Sequence, residues 1–280
     1  MSLRVLASGA LTTVQDLGRP GLAHLGVPRA GALDRPAAAL ANRLVGNAAD
    51  AAVLEVTLGG LVVTTDAGAW VAVTGAVCPV DVDGAPRGHA RPEWLAAGSR
   101  LSIGTTSSGV RSYLAVGGGI AVAPVLGSRA TDTLAWVGPP RVEPGTRLPV
   151  GPVLGRPAPH DTPRPPRAGA LRVHPGPRAD WFAPHALTTL CGSTYEVGSA
   201  SNRIGLRLQG PPLERVRHDE LPSEGMVLGA VQVPPDGQPV VFLADHPPTG
   251  GYPVLAVVEE ADLWQCAQVR PGETVRFTRA

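Results

Sequence analysis

Apolar runs in this chain are short, and turn residues close them. From Val53 onward VLEVTL, LVVTT, WVAVTG and VDVDG follow one another, separated by Gly and Asp. Period-two, β-branched segments between turn residues predict an antiparallel meander, because alternate side chains then share one buried face. RLSIG (100–104) and RSYLAV (111–116) extend it. LRVHPG, TYEVG, LRLQG, VLGAVQV, PVVFLA and PVLAVV repeat the pattern in the second half. Glycine and proline together number 65 of 280 residues, enough to rule out long helices and to supply the turns. The chain is read as mainly β with a few short helices.

Three segments read as helical. Asp34 is placed as an N-cap with Pro36 in the first turn, ahead of the alanine-rich stretch ending at Gly46 and Asn47. A short helix is expected between Asp180 and Leu190, interrupted by Pro184, and one or two turns in ADLWQCAQV. Between 151 and 169 periodicity vanishes and prolines recur at 152, 157, 159, 163, 165 and 166. This predicts an extended linker at 151–169 joining a domain at 1–150 to one at 170–280. EWLAAGSRLSIG loosely echoes the closing ADLWQCAQV…RPGETVRF segment, a hint of two similar barrels.

Charge and rare residues narrow the function classes. A formal charge of +1 offers no basic field for nucleic acid. All 24 basic residues besides histidine are arginines, so no lysine can form a Schiff base, serve a phosphate loop or carry biotin. Three cysteines, Cys78, Cys191 and Cys266, have no metal-binding or disulfide spacing. The opening MSLRVLASGA has no signal-like apolar core and no 18-residue apolar run exists, so a cytoplasmic protein is expected.

The stretch from Thr12 to Asp34 holds glycines at 18, 21, 26 and 31 and prolines at 20 and 28, which excludes regular structure. Gln15, Asp16, Arg19, His24, Arg29 and Asp34 lie along it. On a tight turn Arg19 can hold a carboxylate in a two-point bond, and Asp16 can orient water or accept a proton. Otherwise the two pair with each other or cap backbone groups. A second glycine-rich loop, Thr249, Gly250, Gly251 and Tyr252, offers backbone N–H groups to an oxyanion or phosphate. Asn202 and Arg203 enter a strand, as binding groups or as a plain polar entry. Glu224 and Gln232, eight apart, fall on one face; Glu224 is a base, a metal ligand or a partner of Arg203. No histidine spacing fits a metal, and His24 and His246 stand out for lying in or beside the two loops. GGGI at 117–120 lacks nucleotide-loop spacing and reads as a structural bend.

QDLGRPG with GVPRAGALD, SYLAVGGGI (112–120), SNRIGLRLQG (201–210), EGMVLGAVQVPPDGQ (224–238) and TGGYP (249–253) occur in that order. Together they resemble the KipA, or allophanate hydrolase subunit 2, family of 5-oxoprolinase C subunits and biotin-dependent carboxyltransferases, nearly end to end. The resemblance implies two cyclophilin-like β-barrel domains. It makes Asp16, Arg19 and Glu224 catalytic. It makes Gln15, Gly21, Asn202, Arg203, Gln232, His246, Thr249, Gly250, Gly251 and Tyr252 substrate-binding. Because both glycine-rich loops combine backbone freedom with polar groups, the active site is expected between them, with no metal. One departure stands out: His246, Pro247, Pro248 and Val254 replace a polar run before Thr-Gly-Gly and a lysine after the proline.

Three functions follow from the resemblance. In the first, the chain helps an ATP-dependent enzyme open 5-oxo-L-proline to L-glutamate. Two further subunits, one KipI-like and one LamB/YcsF-like, take part, and ATP is bound by or shared with a partner. In the second, it is the carboxyltransferase half of a urea-type carboxylase, with biotin arriving on another chain. In the third, it is a non-enzymatic antagonist of a KipI-like protein.

Overall fold

The computed structural model describes residues 1–157 and 168–280, which form two compact units. The first comprises Met1–Arg19, Ala30–Asp132 and residues 136–157; the second comprises Pro20–Arg29, Thr133–Ala135 and residues 168–280. The chain thus passes twice from the first unit to the second before the proline-rich stretch. Residues 151–157 of the expected linker belong to the first unit; its 158–167 portion lies outside the described residues.

In the first unit a six-stranded sheet runs in the order Arg147–Pro149, Ser2–Ser8, Leu61–Thr65, Arg100–Ile103, Val80–Val82, Ala85–Arg87. A five-stranded sheet runs Leu11–Gln15, Val53–Thr57, Ser108–Val116, Ala69–Val77, Pro92–Leu95. Their pairings are antiparallel, but the expected meander does not form. Val53–Thr57 and Ala69–Val77 lie in one sheet and Leu61–Thr65 and Val80–Val82 in the other, so successive runs alternate between the two layers around one core. Leu3, Val5, Leu61, Val63, Leu101 and Ile103 from the first sheet and Leu54, Val56, Val71, Val73 and Leu114 from the second form one core, all at most 2% exposed. Two sheets enclosing a single core make this unit barrel-like.

The helix Arg35–Leu44 forms where expected. The Asp34 carboxylate accepts from the Ala37 N–H at 2.9 Å, and Pro36 sits where its missing N–H is harmless. Ala38, Ala41 and Leu44 pack on Ala72, Tyr113 and Ala115, covering the outer face of the five-stranded sheet. GGGI is a bend: Asn47 accepts from the Gly118 N–H and donates to the Val116 carbonyl, both at 2.8 Å.

The second unit is a closed seven-stranded barrel in the order Leu171–Pro175, Val254–Val258, Ala230–Gln232, Val240–Phe242, Gly205–Gln209, Thr194–Val197, Thr274–Arg279. Closure joins the first and last strands in parallel, the remaining pairs being antiparallel. It leaves no unpaired edge. The helix expected at 180–190 divides at Pro184 into a 3₁₀ turn, Ala179–Trp181, and the helix Ala186–Gly192. ADLWQCAQV supplies the helix Leu263–Gln268. The mainly β reading holds for both units. No helix among the described residues is long and apolar enough to cross a membrane.

Candidate functional site

Against the expectation of no regular structure from Thr12 to Asp34, residues 12–15 belong to the strand Leu11–Gln15, because the first glycine comes only at Gly18. The first glycine-rich loop leaves from that strand's end. Gln15 is fully buried; its amide donates to Thr13 Oγ1 at 3.0 Å and to the Thr131 carbonyl at 2.8 Å. Asp16 is a hub. One carboxylate oxygen accepts from the Gly18 N–H at 2.8 Å and Ser128 Oγ at 2.6 Å, the other from the Arg129 N–H at 2.6 Å. Its carbonyl accepts from the Ala32 N–H at 2.9 Å, which closes the loop's return.

Arg19, 3% exposed, donates from Nη2 to the Ala130 carbonyl. Gly138 lies against both, with φ at 112°: a Cβ there would meet the Ala130 oxygen at 2.2 Å and Arg19 Nη2 at 2.9 Å, so only glycine admits the guanidinium. Asp16 thus accepts from the Gly18 and Arg129 N–H groups and the Ser128 hydroxyl, and Arg19 donates to the Ala130 carbonyl, tying the loop to the 128–130 segment. Sequence reasoning missed that segment, SRATDTLAWVGPP, because it has no periodicity and no motif. The next residues, Pro20–Arg29, belong to the second unit. Gly21 is open to solvent and its carbonyl meets His24 Nδ1 at 3.1 Å.

In the second unit, Thr249–Gly250 pairs antiparallel with Glu224–Gly225, so Glu224 stands opposite Gly250. Gln232 reaches under this ribbon and donates to the Tyr252 carbonyl at 3.1 Å. A Cβ at Gly250 would lie 2.8 Å from the Gln232 amide nitrogen, the movable end of that side chain. Glu224 is held by Arg178 in a two-point bond, its Oε2 accepting from Nε at 3.0 Å. It does not partner Arg203. Gly251 and Tyr252 are exposed.

Arg203 forms a two-point ion pair with Asp245, Nε to Oδ2 at 2.8 Å and Nη2 to Oδ1 at 2.9 Å, with side chains 2% and 0% exposed. Asp245 Oδ2 also accepts from the Thr133 N–H at 2.9 Å and hydroxyl at 2.7 Å. A buried charge pair is tolerated only when its remaining hydrogen bonds are made, and Thr133 makes two of those on the Asp245 side. Asn202, beside Arg203, caps its own turn, its side-chain oxygen accepting from the Ile204 and Gly205 N–H groups. His246 stacks on Phe242, ring centroids 5.8 Å apart, with Nδ1 2.7 Å from the Pro247 carbonyl. No group of three or more His, Cys, Asp or Glu side chains able to hold a metal is present among the described residues.

A further polar network escaped the sequence reading. Glu55, 1% exposed, accepts from the Leu33 N–H at 3.0 Å and from the Tyr113 hydroxyl at 2.8 Å, with Arg111 Nε at 3.5 Å. The Tyr113 hydroxyl accepts in turn from the Asp34 N–H at 2.7 Å. Burial, then the Glu55 charge, hold that hydroxyl well above its usual pKa, so it stays a donor. The network pins the loop's C-terminal end to the five-stranded sheet. The available signal was the lone glutamate within VLEVT, a charge in a strand otherwise apolar.

Burial pushes His246 below the ordinary imidazole value of 6.5, against the opposing pull of the Pro247 carbonyl and Asp245. Burial does the same to His89. The folded chain therefore binds fewer protons at both sites than the unfolded chain, so stability is full above about pH 6.5 and falls below it. The lowered carboxyls of Asp66, Asp83 and Asp262 act in a separate window, below their ordinary value of 3.8. The urea midpoint is expected to drop between about pH 7 and pH 5.5. His246→Gln and His89→Gln should each flatten that drop; an unchanged slope in both would contradict it.

A closed barrel and a two-sheet unit in one chain, with glycine-rich loops held by carboxylate and guanidinium groups, have the architecture of a carboxyltransferase-type domain. The chain belongs to the carboxyltransferase domain family, subdomains A and B, matching it over residues 25–279. It is 40% identical to the C subunit of 5-oxoprolinase from Escherichia coli (strain K12), over 99% of this chain and 91% of that protein. It is 34% identical to the urea amidolyase of Lachancea kluyveri over 99% of the chain, but spans only 17% of that larger protein. Among solved structures, TTHA0988 superposes with a TM-score of 0.90 at 38% identity, covering 99% of this chain and 55% of that one.

Proposed function

We propose that this chain is the C subunit of a cytoplasmic, ATP-dependent 5-oxoprolinase that converts 5-oxo-L-proline to L-glutamate. The carrying observation is the 40% identity to the E. coli protein over nearly the whole of both chains. An unstrained lactam resists water. Phosphoryl transfer from ATP to its carbonyl oxygen releases ADP and activates the carbon, where water adds. The ring C–N bond then breaks as the nitrogen takes a proton, leaving an acyl phosphate, and a second water releases inorganic phosphate and L-glutamate. The work of the protein is then to hold the carboxylate of the substrate, neutralise developing charge and exclude bulk water.

In this reading Asp16 and Arg19 fix the 128–130 backbone beside the first loop, and backbone N–H groups of Gly250 and Gly251 face developing negative charge. Glu224 serves as a base once it parts from Arg178. Gln15, Gly21, Asn202, Arg203, Gln232, His246, Thr249 and Tyr252 shape the binding loops. ATP is a co-substrate carried by or shared with a partner: the chain has no lysine for a phosphate loop and no nucleotide-loop glycine spacing. Two partners, one KipI-like and one LamB/YcsF-like, complete the enzyme.

The likeness to urea amidolyase supports a second reading, a carboxyltransferase in which biotin comes on another chain. One experiment separates them. The chain is co-expressed with KipI-like and LamB/YcsF-like polypeptides and ADP release is measured with 5-oxoproline and with urea. Turnover of 5-oxoproline by the assembly, and none by the chain alone, is expected. Turnover by the pure chain, or a response to urea only, would overturn the reading.

A further inference from the structure

Glu224 is held by a residue to which neither the motifs nor the resemblance gives a role. Its two carboxylate oxygens meet the Arg178 guanidinium, Nε to Oε2 at 3.0 Å and Nη2 to Oε1. The root of Arg178 is fixed on the barrel. Its N–H donates to the Val254 carbonyl at 3.2 Å, and the Gly176 N–H donates to the Leu255 carbonyl at 2.8 Å. A Cβ at Gly176 would meet the Val254 oxygen at 2.5 Å, so a side chain there would push the turn off the strand. That strand, Val254–Val258, begins just after the Thr249–Tyr252 loop, and Glu224 stands opposite Gly250 in the ribbon that the loop forms. The far end of the pair is open: the side chains of Arg178 and Glu224 are 37% and 26% exposed. A rigid root and an accessible tip thus bring a guanidinium, a carboxylate and the second glycine-rich loop together within one unit.

We propose that Arg178 binds the carboxylate of the lactam substrate, which takes the place of Glu224 and so releases it to act as the base. The guanidinium already holds a carboxylate in the two-point geometry that a substrate carboxylate requires. An ion pair this open to water is worth little, so one carboxylate exchanges for another at small cost. Both Glu224 oxygens are engaged by Arg178, so the side chain must let go before it can take a proton from the attacking water. Urea has no carboxylate to make the exchange, so the same pair selects for acidic lactams. The inference rests on the 5-oxoprolinase reading above.

The test uses the co-expressed complex and steady-state ADP release at varied 5-oxoproline. Arg178→Gln should raise KM at least about tenfold, the scale of a lost charge-assisted bond. Arg178→Lys keeps the charge without the fork and should raise KM about threefold or more; it serves the same comparison if the Gln variant does not assemble. Glu224→Gln should do the reverse: kcat falls about a hundredfold or more while KM holds or drops, because the guanidinium is freed for substrate. A purely structural pair would move both kinds of variant the same way. An unchanged KM in the Arg178 variants, or an equal rise of KM in Glu224→Gln, overturns the inference and leaves the 5-oxoprolinase reading standing. An unsubstituted complex inert toward 5-oxoproline overturns both.

Discussion

Arg203→Ala is expected to lower folding stability by about 3–5 kcal/mol, because removing one member of a buried pair strands the other charge. Asp245 is fully buried, and without the guanidinium its carboxylate would keep the two Thr133 donors among its present partners while losing both charged ones. The loss should show as a large fall in the urea midpoint. Pairing Arg203→Met with Asp245→Asn should recover much of it, since the neutral amide oxygen still accepts from Thr133 and no charge is left behind. A cost below about 1 kcal/mol for Arg203→Ala would place the pair among surface-like bridges of small worth and refute the argument.

Asp16→Asn and Arg19→Ala should each reduce turnover of the assembled complex by about a hundredfold or more, the scale of losing a preorganised stabilising group. Three donors converge on the Asp16 carboxylate. Asparagine offers one acceptor oxygen and sets an N–H₂ against either the Arg129 N–H or the Gly18 N–H, so the loop can no longer hold both ends. Arg19→Ala frees the Ala130 carbonyl and leaves a void beside Gly138. Sizing chromatography should still show the complex. Near-normal turnover in both variants, with assembly intact, would reduce the loop to scaffold.

What was legible in the sequence was local. Alternation in VLEVTL and WVAVTG, and the Asp34 cap before Pro36, depend on neighbours within a few residues, and the strands and helix formed there. The block order carried the family in the same way, since each block is a short contiguous run. Only the tertiary structure decided which charges meet. Asp16 reaches Ser128 across 112 positions, Glu55 reaches Tyr113 across 58 and Arg203 reaches Asp245 across 42. Glu224 meets Arg178, 46 positions away, and stands opposite Gly250 in its ribbon, a pairing that spacing along the chain does not specify. Spacing specifies which face a side chain occupies; sheet order and barrel closure specify what faces it, and those are set by the burial of the whole core.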